Sequence, residues 1–322
     1  MRKPGLGLAA LLAFVATASG ALAQAFPSKP VRIVVAFPAG GGTDIVARLL
    51  APKLTETWEQ QVIVDNRAGA SGVIGTEFAA RSAPDGTTLF LGTLGNLAVN
   101  QHLYPKMTVD PLRDFAPVTQ VVAVHFVMVA NPSLPARNVG ELIALAKSRP
   151  GQINYSSSGP GGAPHLAGEL LKSMAKVDIV HVPYKGSAPS FQDLLGGRVS
   201  FTCDSLVQAL PYIRDGRLVA LAVLGAARSP LLPGVPTVGE TLPGYELTNW
   251  FGLVAPAATP RAAVAKIHGD VVKVLRDPAI TEKLSGMGAT AIGNEPNEFG
   301  AIMRADSEKW GKLIHEANIK AE

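Results

Sequence analysis

Short runs of β-branched and aromatic residues alternate with segments of helical apolar spacing along nearly the whole chain. Such alternation predicts βαβ units with mostly parallel sheets that are buried on both faces. Strands are predicted at Val31–Phe37, Gln61–Asp65, Thr87–Gly92, Val121–Ala130, Ile153–Tyr155, Asp178–Tyr184, Val199–Cys203, Leu218–Leu224 and Phe251–Ala255. Helices are predicted at Thr43–Thr57, Ile74–Arg81, Val139–Ser148, Ala163–Ala175, Ser187–Leu195, Val207–Arg214, Arg261–Leu275, Ala279–Met287 and Pro296–Ala317.

Two segments depart from this rhythm. After Ala255 three helical patterns follow one another without a strand between them, which predicts a cap that packs back on an earlier lobe. The longest mainly apolar stretch after the N-terminal segment is Val121–Ala130, which is interrupted only by His125 and is predicted to be one buried strand. It is too short for a membrane span, which needs ~20 mainly apolar residues.

Composition narrows the class of protein. A chain of 322 residues is long enough for about two domains, and 47% apolar against 17% charged residues indicates a folded chain with sizeable cores. The formal charge is only +4 and no cluster of Lys and Arg occurs, so nucleic-acid binding is not expected. With Cys203 as the single cysteine, an intrachain disulfide and a metal site built on cysteine pairs are both excluded.

The first 23 residues have the three parts of a secretory signal peptide. Arg2 and Lys3 form the positive region, Leu6–Ala18 the apolar region, and Ala21-Leu22-Ala23 a small-residue cleavage site. The alternative, a membrane anchor, requires a longer apolar run. Residues 1–23 are therefore predicted to be removed, which places the mature protein in the periplasm.

A glycine-rich loop follows the first predicted strand and opens the first predicted helix. Its candidate ligand contacts are Phe37, Ala39, Gly40, Gly41, Thr43 and Asp44. The glycines let backbone N–H groups approach a ligand, and the helix start adds unpaired N–H groups and a positive dipole end, which suits a carboxylate. Ile45 stands where a G-x-G-x-x-G phosphate motif requires glycine. The alternative is a tight turn capped by Thr43 or Asp44.

A second loop repeats this arrangement more than 100 residues later. Its candidate contacts are Ser157, Ser158, Gly161, Gly162 and Ala163, at the start of the predicted helix Ala163–Ala175. Ligands of open parallel sheets bind outside the carboxyl ends of the strands. We therefore expect two helix ends, one from each half of the chain, to converge on one ligand.

Two further polar residues follow predicted strands. Thr93 is placed to donate a hydroxyl group to a ligand. Asp204 is placed to accept a hydrogen bond from a ligand amine or hydroxyl, or alternatively to cap the helix that begins near Val207. The sequence leaves these two roles of Asp204 open.

Catalytic and metal-binding motifs are absent from the sequence. No two histidines have metal-ligand spacing on one helix, and neither H-E-x-x-H nor G-x-S-x-G occurs. The one hydrolase arrangement left to consider is Ser157 or Ser158 with His165 and Asp204, and loop adjacency alone is no evidence for it. We therefore expect no catalytic residue, no metal and no cofactor.

Several ordered motifs resemble the Bug family of extracytoplasmic solute receptors, the binding proteins associated with tripartite tricarboxylate transporters. The resemblance runs from about Phe26 to the C-terminus. The matching segments are residues 37–44 (FPAGGGTD), 66–75 (NRAGASGVIG), 82–87 (SAPDGT), 157–159 (SSG), 165–169 (HLAGE), 182–186 (VPYKG), 233–238 (PGVPTV) and 250–256 (WFGLVAP).

This resemblance implies a type II periplasmic-binding-protein fold, an α/β fold with two lobes, each built on a central mixed or parallel sheet and joined by a two-strand hinge. Lobe 1 would comprise residues 24–123 and 250–322, and lobe 2 residues 124–249. The hinge would lie near Gln120–Val124 and Asn249–Phe251. In the family the two glycine-rich loops hold one ligand carboxylate, and the position of Asp204 contacts the amino group in amino-acid-binding relatives.

The expected function is capture of a small carboxylated metabolite, such as a di- or tricarboxylate, an aromatic acid or an amino acid. The expected partners are that ligand and the membrane components of a tripartite tricarboxylate transporter, with the receptor itself a monomer. A sensor that presents its ligand to a membrane signalling partner is the alternative. An exported hydrolase of small esters is a third possibility.

Overall fold

The computed structural model describes residues 26–316 and 319–320. The predicted signal peptide, residues 1–23, lies outside them. Eleven strands occur in the described part of the chain: β1 Val31–Val35, β2 Val62–Asn66, β3 Thr88–Thr93, β4 Phe115–Val124, β5 Phe126–Ala130, β6 Asn154–Ser157, β7 Val180–Pro183, β8 Phe201–Ser205, β9 Val219–Val223, β10 Asn249–Pro256 and β11 Ala289–Ala291.

The helices largely follow the predicted apolar periodicity. They are α1 Gly42–Trp58, α2 Val73–Ala80, α3 Asn100–Leu103, α4 Pro111–Asp114, α5 Val139–Ser148, α6 Ala163–Ala175, α7 Ser187–Leu195, α8 Leu206–Arg214, α9 Arg261–Leu275, α10 Pro278–Gly286 and α11 Pro296–Glu316. A π-helix at Gly95–Val99 precedes α3, and short 3₁₀ turns occur at Ala70–Gly72 and Val238–Glu240.

Two mixed sheets form the centres of two lobes. The six-stranded sheet has the order β11-β4-β10-β3-β1-β2, in which β1 runs parallel to β2 and β3 while β10 is antiparallel to β3 and β4. The five-stranded sheet has the order β7-β6-β8-β5-β9, with β6 parallel to β7 and β8 and β5 antiparallel to β8 and β9. The predicted α/β architecture of two lobes is confirmed. The expectation of mostly parallel sheets is wrong, because five of the nine strand pairs among the described residues are antiparallel: the pairs of β10 with β3 and β4, of β11 with β4, and of β5 with β8 and β9. We call the lobe of the six-stranded sheet the first lobe and the other the second lobe.

The chain passes from the first lobe to the second at His125. The His125 N–H donates to the carbonyl of Gly288, and its own carbonyl accepts from the N–H of Leu206. The prediction of one strand over Val121–Ala130 is therefore wrong, because the N–H of His125 bonds beside β11 in the first sheet, its carbonyl bonds beside β8 in the second, and β4 and β5 belong to different sheets. The chain returns at Asn249, which pairs with Val124 in the first sheet.

The C-terminal helices pack on the first lobe. The indole N–H of Trp58 in α1 donates to Asp270 in α9 at 2.7 Å, and that of Trp250 in β10 donates to Asp306 in α11 at 2.7 Å. The expectation of three helices without an intervening strand is wrong, because β11 lies between α10 and α11 and pairs with β4. Among the described residues, no helix combines the length and apolarity that a membrane crossing requires.

Candidate functional site

A pocket lies between the two lobes, where β1, β3, β6 and β8 end. Eight of the thirteen residues predicted to bind ligand line it: Phe37, Gly41, Thr43, Thr93, Ser158, Gly162, Ala163 and Asp204. These residues come from loops in both halves of the chain. Tertiary folding therefore brings the two glycine-rich loops to the same cavity.

Five of the predicted residues do not line this pocket: Ala39, Gly40, Asp44, Ser157 and Gly161. The N–H of Gly161 donates to Nδ1 of His165 at 3.1 Å, and the N–H of Gly40 donates to Asp44 Oδ2 at 2.9 Å. These two N–H groups therefore stabilise the conformations of the loops and do not face the cavity.

Asp44 anchors the first loop from a buried position. Its carboxylate accepts hydrogen bonds from Arg48 Nε, Asn66 Nδ2 and the Gly40 N–H, all at 2.9 Å. Burial by itself would raise the pKa of Asp44, but these hydrogen bonds hold it below its ordinary value. The carboxylate therefore stays charged at neutral pH and ties the loop to β2 through Asn66.

Four helices begin at this pocket, and none has a side chain capping its N-terminus. Their N-cap residues are Gly41 for α1, Gly162 for α6, Gly186 for α7 and Ser205 for α8. Away from the pocket, the side chains of Asp110, Asn138 and Asp277 cap α4, α5 and α10, whereas α2, α3 and α9 have no side-chain cap. Helix starts expose unpaired N–H groups and the positive dipole end, so four of them around one cavity favour an anion.

Two buried polar atoms of the pocket wall have no hydrogen-bond partner. They are Ser205 Oγ and Asn249 Oδ1, on residues that are 2% and 4% exposed. Buried polar atoms are nearly always hydrogen-bonded, and leaving one without a partner costs about 1–3 kcal/mol. Both atoms are therefore available to hydrogen-bond a polar group in the pocket.

Asp204 is the one ionisable side chain among the residues that line the pocket. It is 3% exposed, and burial raises its pKa to about 6 although hydrogen bonds from Ser187 and Ser205 oppose the rise. Its carboxylate accepts from the Ser187 hydroxyl and the Ser205 N–H, each at 2.6 Å. Asp204 is not the N-cap of α8, since Ser205 occupies that position.

The hydrolase arrangement is not formed. The Ser157 hydroxyl contacts His181 Nε2 at 2.6 Å, and His165 Nδ1 is occupied by the N–H of Gly161. Burial, followed by the nearby His165 and Lys172, lowers the pKa of His181 to about 3, which makes it a poor base. Within the described ranges no group of three or more His, Cys, Asp and Glu side chains is arranged to hold a metal ion.

Seven lining residues were not predicted: Gly42, Phe126, Pro164, Ser187, Ser205, Asn249 and Phe251. Ser187 opens a predicted helix just after a predicted strand, so the same rule that selected the two loops would have found it. Asn249 and Phe126 reach the pocket because they lie where the chain passes between the two lobes. Their location depends on pairing with residues far away in sequence.

The cavity measures about 40 Å³. Ordinary ligand pockets measure roughly 300–1,000 Å³. The two lobes are therefore nearly closed on each other here, and a solute requires them to separate before it can enter.

Comparison with known proteins agrees with this geometry. Residues 46–319 match the family model described as the tripartite tricarboxylate transporter family receptor. The chain is 36% identical to the protein BugT of Bordetella pertussis over 318 residues, which is 97% of this chain and 98% of BugT.

Three solved structures are similar over almost their whole lengths. A Rhodopseudomonas palustris protein with adipate has 38% identity and a TM-score of 0.89, covering 92% of this chain and 99% of that one. The periplasmic binding protein BugD has 35% identity and a TM-score of 0.88, covering 92% and 100%. MatC from Rhodopseudomonas palustris, with bound malate, has 32% identity and a TM-score of 0.86, covering 90% and 100%.

The family match covers most of the chain, and the relatives align with it nearly end to end. The chain therefore belongs to the tripartite tricarboxylate transporter receptor family, and it is a solute receptor rather than an enzyme.

Proposed function

We propose that this receptor captures a small dicarboxylate in the periplasm and delivers it to the membrane components of a tripartite tricarboxylate transporter. The observation that carries the proposal is the convergence of four uncapped helix starts on one pocket between the lobes. Among the described residues, no Lys, Arg or His side chain lines that pocket. A ligand anion would therefore be held by backbone N–H groups and hydroxyls.

The proposed contacts come from both lobes. Gly41, Gly42 and Thr43 belong to the first, and Gly162 and Ala163 to the second. Each hydrogen bond to a charged group contributes about 1.5–3 kcal/mol. Several such bonds, less the free energy of ordering both partners, are enough for micromolar affinity, which corresponds to about 8 kcal/mol. A carboxylate held from both sides would also draw the lobes together.

Relatives with adipate and with malate support a dicarboxylate as the solute class. Asp204 would select the second polar group of the ligand, beside its carboxylates. Its buried carboxylate accepts hydrogen bonds, so it suits a hydroxyl, as on malate, or an amine, as on an amino acid. A second carboxylate placed against Asp204 would need a shared proton.

The periplasmic location rests on the predicted signal peptide at residues 1–23 and on the description of BugD as a periplasmic binding protein. We propose lobe boundaries at 123/124 and 249/250, which fall beside the two chain crossings. A signalling partner in place of a transporter is the alternative output. Co-purification of the receptor with transporter membrane proteins, rather than with a membrane kinase, would distinguish them.

A thermal-shift screen of residues 24–322 tests the solute class. The panel contains millimolar malate, succinate, adipate, citrate, benzoate, aspartate and glutamate. A ligand at 1,000 times its Kd adds about 4 kcal/mol of stability, which raises Tm by several degrees at about 2–4 °C per kcal/mol. We expect shifts with the dicarboxylates.

The other outcomes are equally informative. A shift confined to aspartate and glutamate would narrow the solute to dicarboxylates that carry an amino group and make Asp204 the amine contact. A shift confined to benzoate would contradict capture of two carboxylates. If no acid raises Tm, and mass spectrometry of the denatured protein finds no co-purified acid, the proposal is wrong.

A further inference from the structure

The segment Asn66–Gly75 carries part of the family resemblance but contributes no residue to the pocket. Its centre is strained: Ala70 and Ser71 have φ values of 45° and 50°, in the left-handed region, between Gly69 at 139° and Gly72 at 89°. Left-handed backbone in non-glycine residues is uncommon, and two in succession are maintained only where the surroundings require them. The contacts of Ser71 explain why the left-handed conformation is maintained in this turn.

The backbone of Ser71 is fixed to the first lobe. Its carbonyl accepts hydrogen bonds from Asn96 Nδ2 at 3.3 Å and Asn100 Nδ2 at 3.0 Å. Both asparagines are 1% exposed. The turn is therefore held rigidly against the π-helix and α3.

The side chain of Ser71 faces the second lobe. A Cβ atom on Gly159 would collide with Ser71 Oγ, so the hydroxyl lies directly on the backbone of that glycine. Burial raises the pKa of Tyr104, and the nearby Ser71 hydroxyl opposes that rise, so the two side chains are neighbours. Tyr104 in turn donates a hydrogen bond across the cleft to the carbonyl of Pro160 at 2.9 Å.

The next residues of the same loop touch the first lobe as well. A Cβ on Gly161 would lie 2.8 Å from Asn100 Oδ1, and a Cβ on Gly95 would lie 3.1 Å from the Gly161 carbonyl oxygen. The loop Gly159–Gly162 therefore rests on the first lobe from end to end. Its last residue, Gly162, is the N-cap of α6 and lines the pocket.

We propose that Ser71 and Tyr104 are positioning residues that hold the loop Gly159–Gly162 against the first lobe and so favour the closed cleft before any solute binds. Neither residue lines the pocket, so they act on a ligand through the position of Gly162. Closed protein present before binding raises the apparent affinity in proportion to its population. Only this consequence for affinity rests on the proposed function.

Hydrogen–deuterium exchange of residues 24–322 without ligand tests the proposal. The amides of Gly159, Gly161 and Gly162 donate to groups of the second lobe, so their exchange reports how much the loop fluctuates once its support from the first lobe is weakened. We expect Tyr104→Phe to speed exchange in the peptide 157–163 by about 2- to 12-fold, the range that corresponds to one net hydrogen bond. Ser71→Gly should act in the same direction while keeping the left-handed backbone accessible.

Two matched variants serve as controls. Tyr184→Phe also removes a phenol, but that phenol donates to Asp193 within the second lobe. Ala70→Gly relieves the same kind of backbone strain at an exposed side chain. Exchange in 157–163 should match that of the unmodified protein in both.

Unchanged exchange in Tyr104→Phe and Ser71→Gly would overturn the proposal, and so would faster exchange spread over both sheets. If Tyr104→Phe does not fold, the comparison of exchange in 157–163 between Ser71→Gly and Ala70→Gly tests the proposal. With any acid that raises Tm, the two test variants should also increase Kd by about 2- to 12-fold. Failure of every acid would contradict the proposed solute class and leave the ligand-free exchange result intact.

Discussion

Gly42 at the start of α1 and Ser205 at the end of β8 face each other across the cleft, and a Cβ on Gly42 would lie 2.7 Å from the Ser205 hydroxyl oxygen. Gly42 lies in the first turn of a helix, where any residue has an allowed backbone conformation. Glycine is therefore required at position 42 because there is no room for a Cβ atom, and not because of its backbone conformation. The contact also brings a ligand loop of one lobe directly against an unpartnered hydroxyl of the other.

Gly42→Ala should weaken solute binding, because the added methyl group displaces the Ser205 hydroxyl or keeps the lobes apart. The effect should be smaller in a Ser205→Ala background, which removes the oxygen that the methyl group would meet. A double-mutant cycle on Kd should give a coupling free energy of about 0.5–3 kcal/mol. Additive effects of the two substitutions would contradict direct contact between these residues.

Gly41→Asp should abolish binding of an anionic solute without unfolding the protein. Aspartate is a favourable N-cap residue, so it would occupy the free N–H groups of α1 and place a negative charge where the solute carboxylate belongs. Isothermal titration and urea denaturation measure the two effects. Gly41→Asn, which caps without the charge, should retain more affinity, and Gly41→Ala should fit without a clash, since its Cβ would lie 3.6 Å from the Pro38 carbonyl oxygen.

Asp204→Asn should change how stability depends on pH. Burial raises the pKa of Asp204 to about 6 in the folded protein from an ordinary value of 3.8, so the folded chain holds this proton more tightly than the unfolded chain. The free energy of unfolding therefore falls as pH rises from about 4 to about 6 and stays lower above that range.

The substitution removes this penalty, so the variant should be more stable than the unmodified protein at pH 7.5, by up to about 3 kcal/mol, and nearly equal at pH 4. Urea denaturation at both pH values measures the difference. A difference that is the same at both values would contradict a raised pKa for Asp204.

Two glycines inside helices should respond to alanine in opposite directions. A Cβ on Gly168 in α6 would overlap the ring of Tyr155 in β6, so Gly168→Ala should destabilise by about 1–3 kcal/mol through overpacking. In α9, a Cβ on Gly269 has no atom within 4 Å, and Gly269→Ala should stabilise by about 0.5–1 kcal/mol. Urea denaturation of both variants measures these changes, and a Gly168→Ala variant as stable as the unmodified protein, or more stable, would contradict the packing of α6 on Tyr155.

Much of the fold and the position of the site are evident from local sequence. The alternation of apolar periods predicts the α/β class, the family resemblance implies its two lobes, and glycine-rich segments between a strand and a helix identify both loops of the pocket. These features depend on residues within a few positions of each other. Backbone conformation and the hydrogen bonds of a helix start are set over that distance.

Other features were decided by tertiary contacts alone. The strand over Val121–Ala130 divides because the peptide groups of His125 bond to Gly288 and Leu206. The N–H of Gly161 turns away from the pocket toward His165 while the loop is pressed on Asn100 and Tyr104.

The sequence by itself therefore determined the class of fold and the positions of the two glycine-rich loops along the chain. Tertiary structure decided which atoms of those loops face the cavity, and it added Ser205 and Asn249 to the pocket wall. The physical reason is that a side chain's direction across the cleft follows from packing between segments far apart in the chain. Local spacing holds no information about those partners.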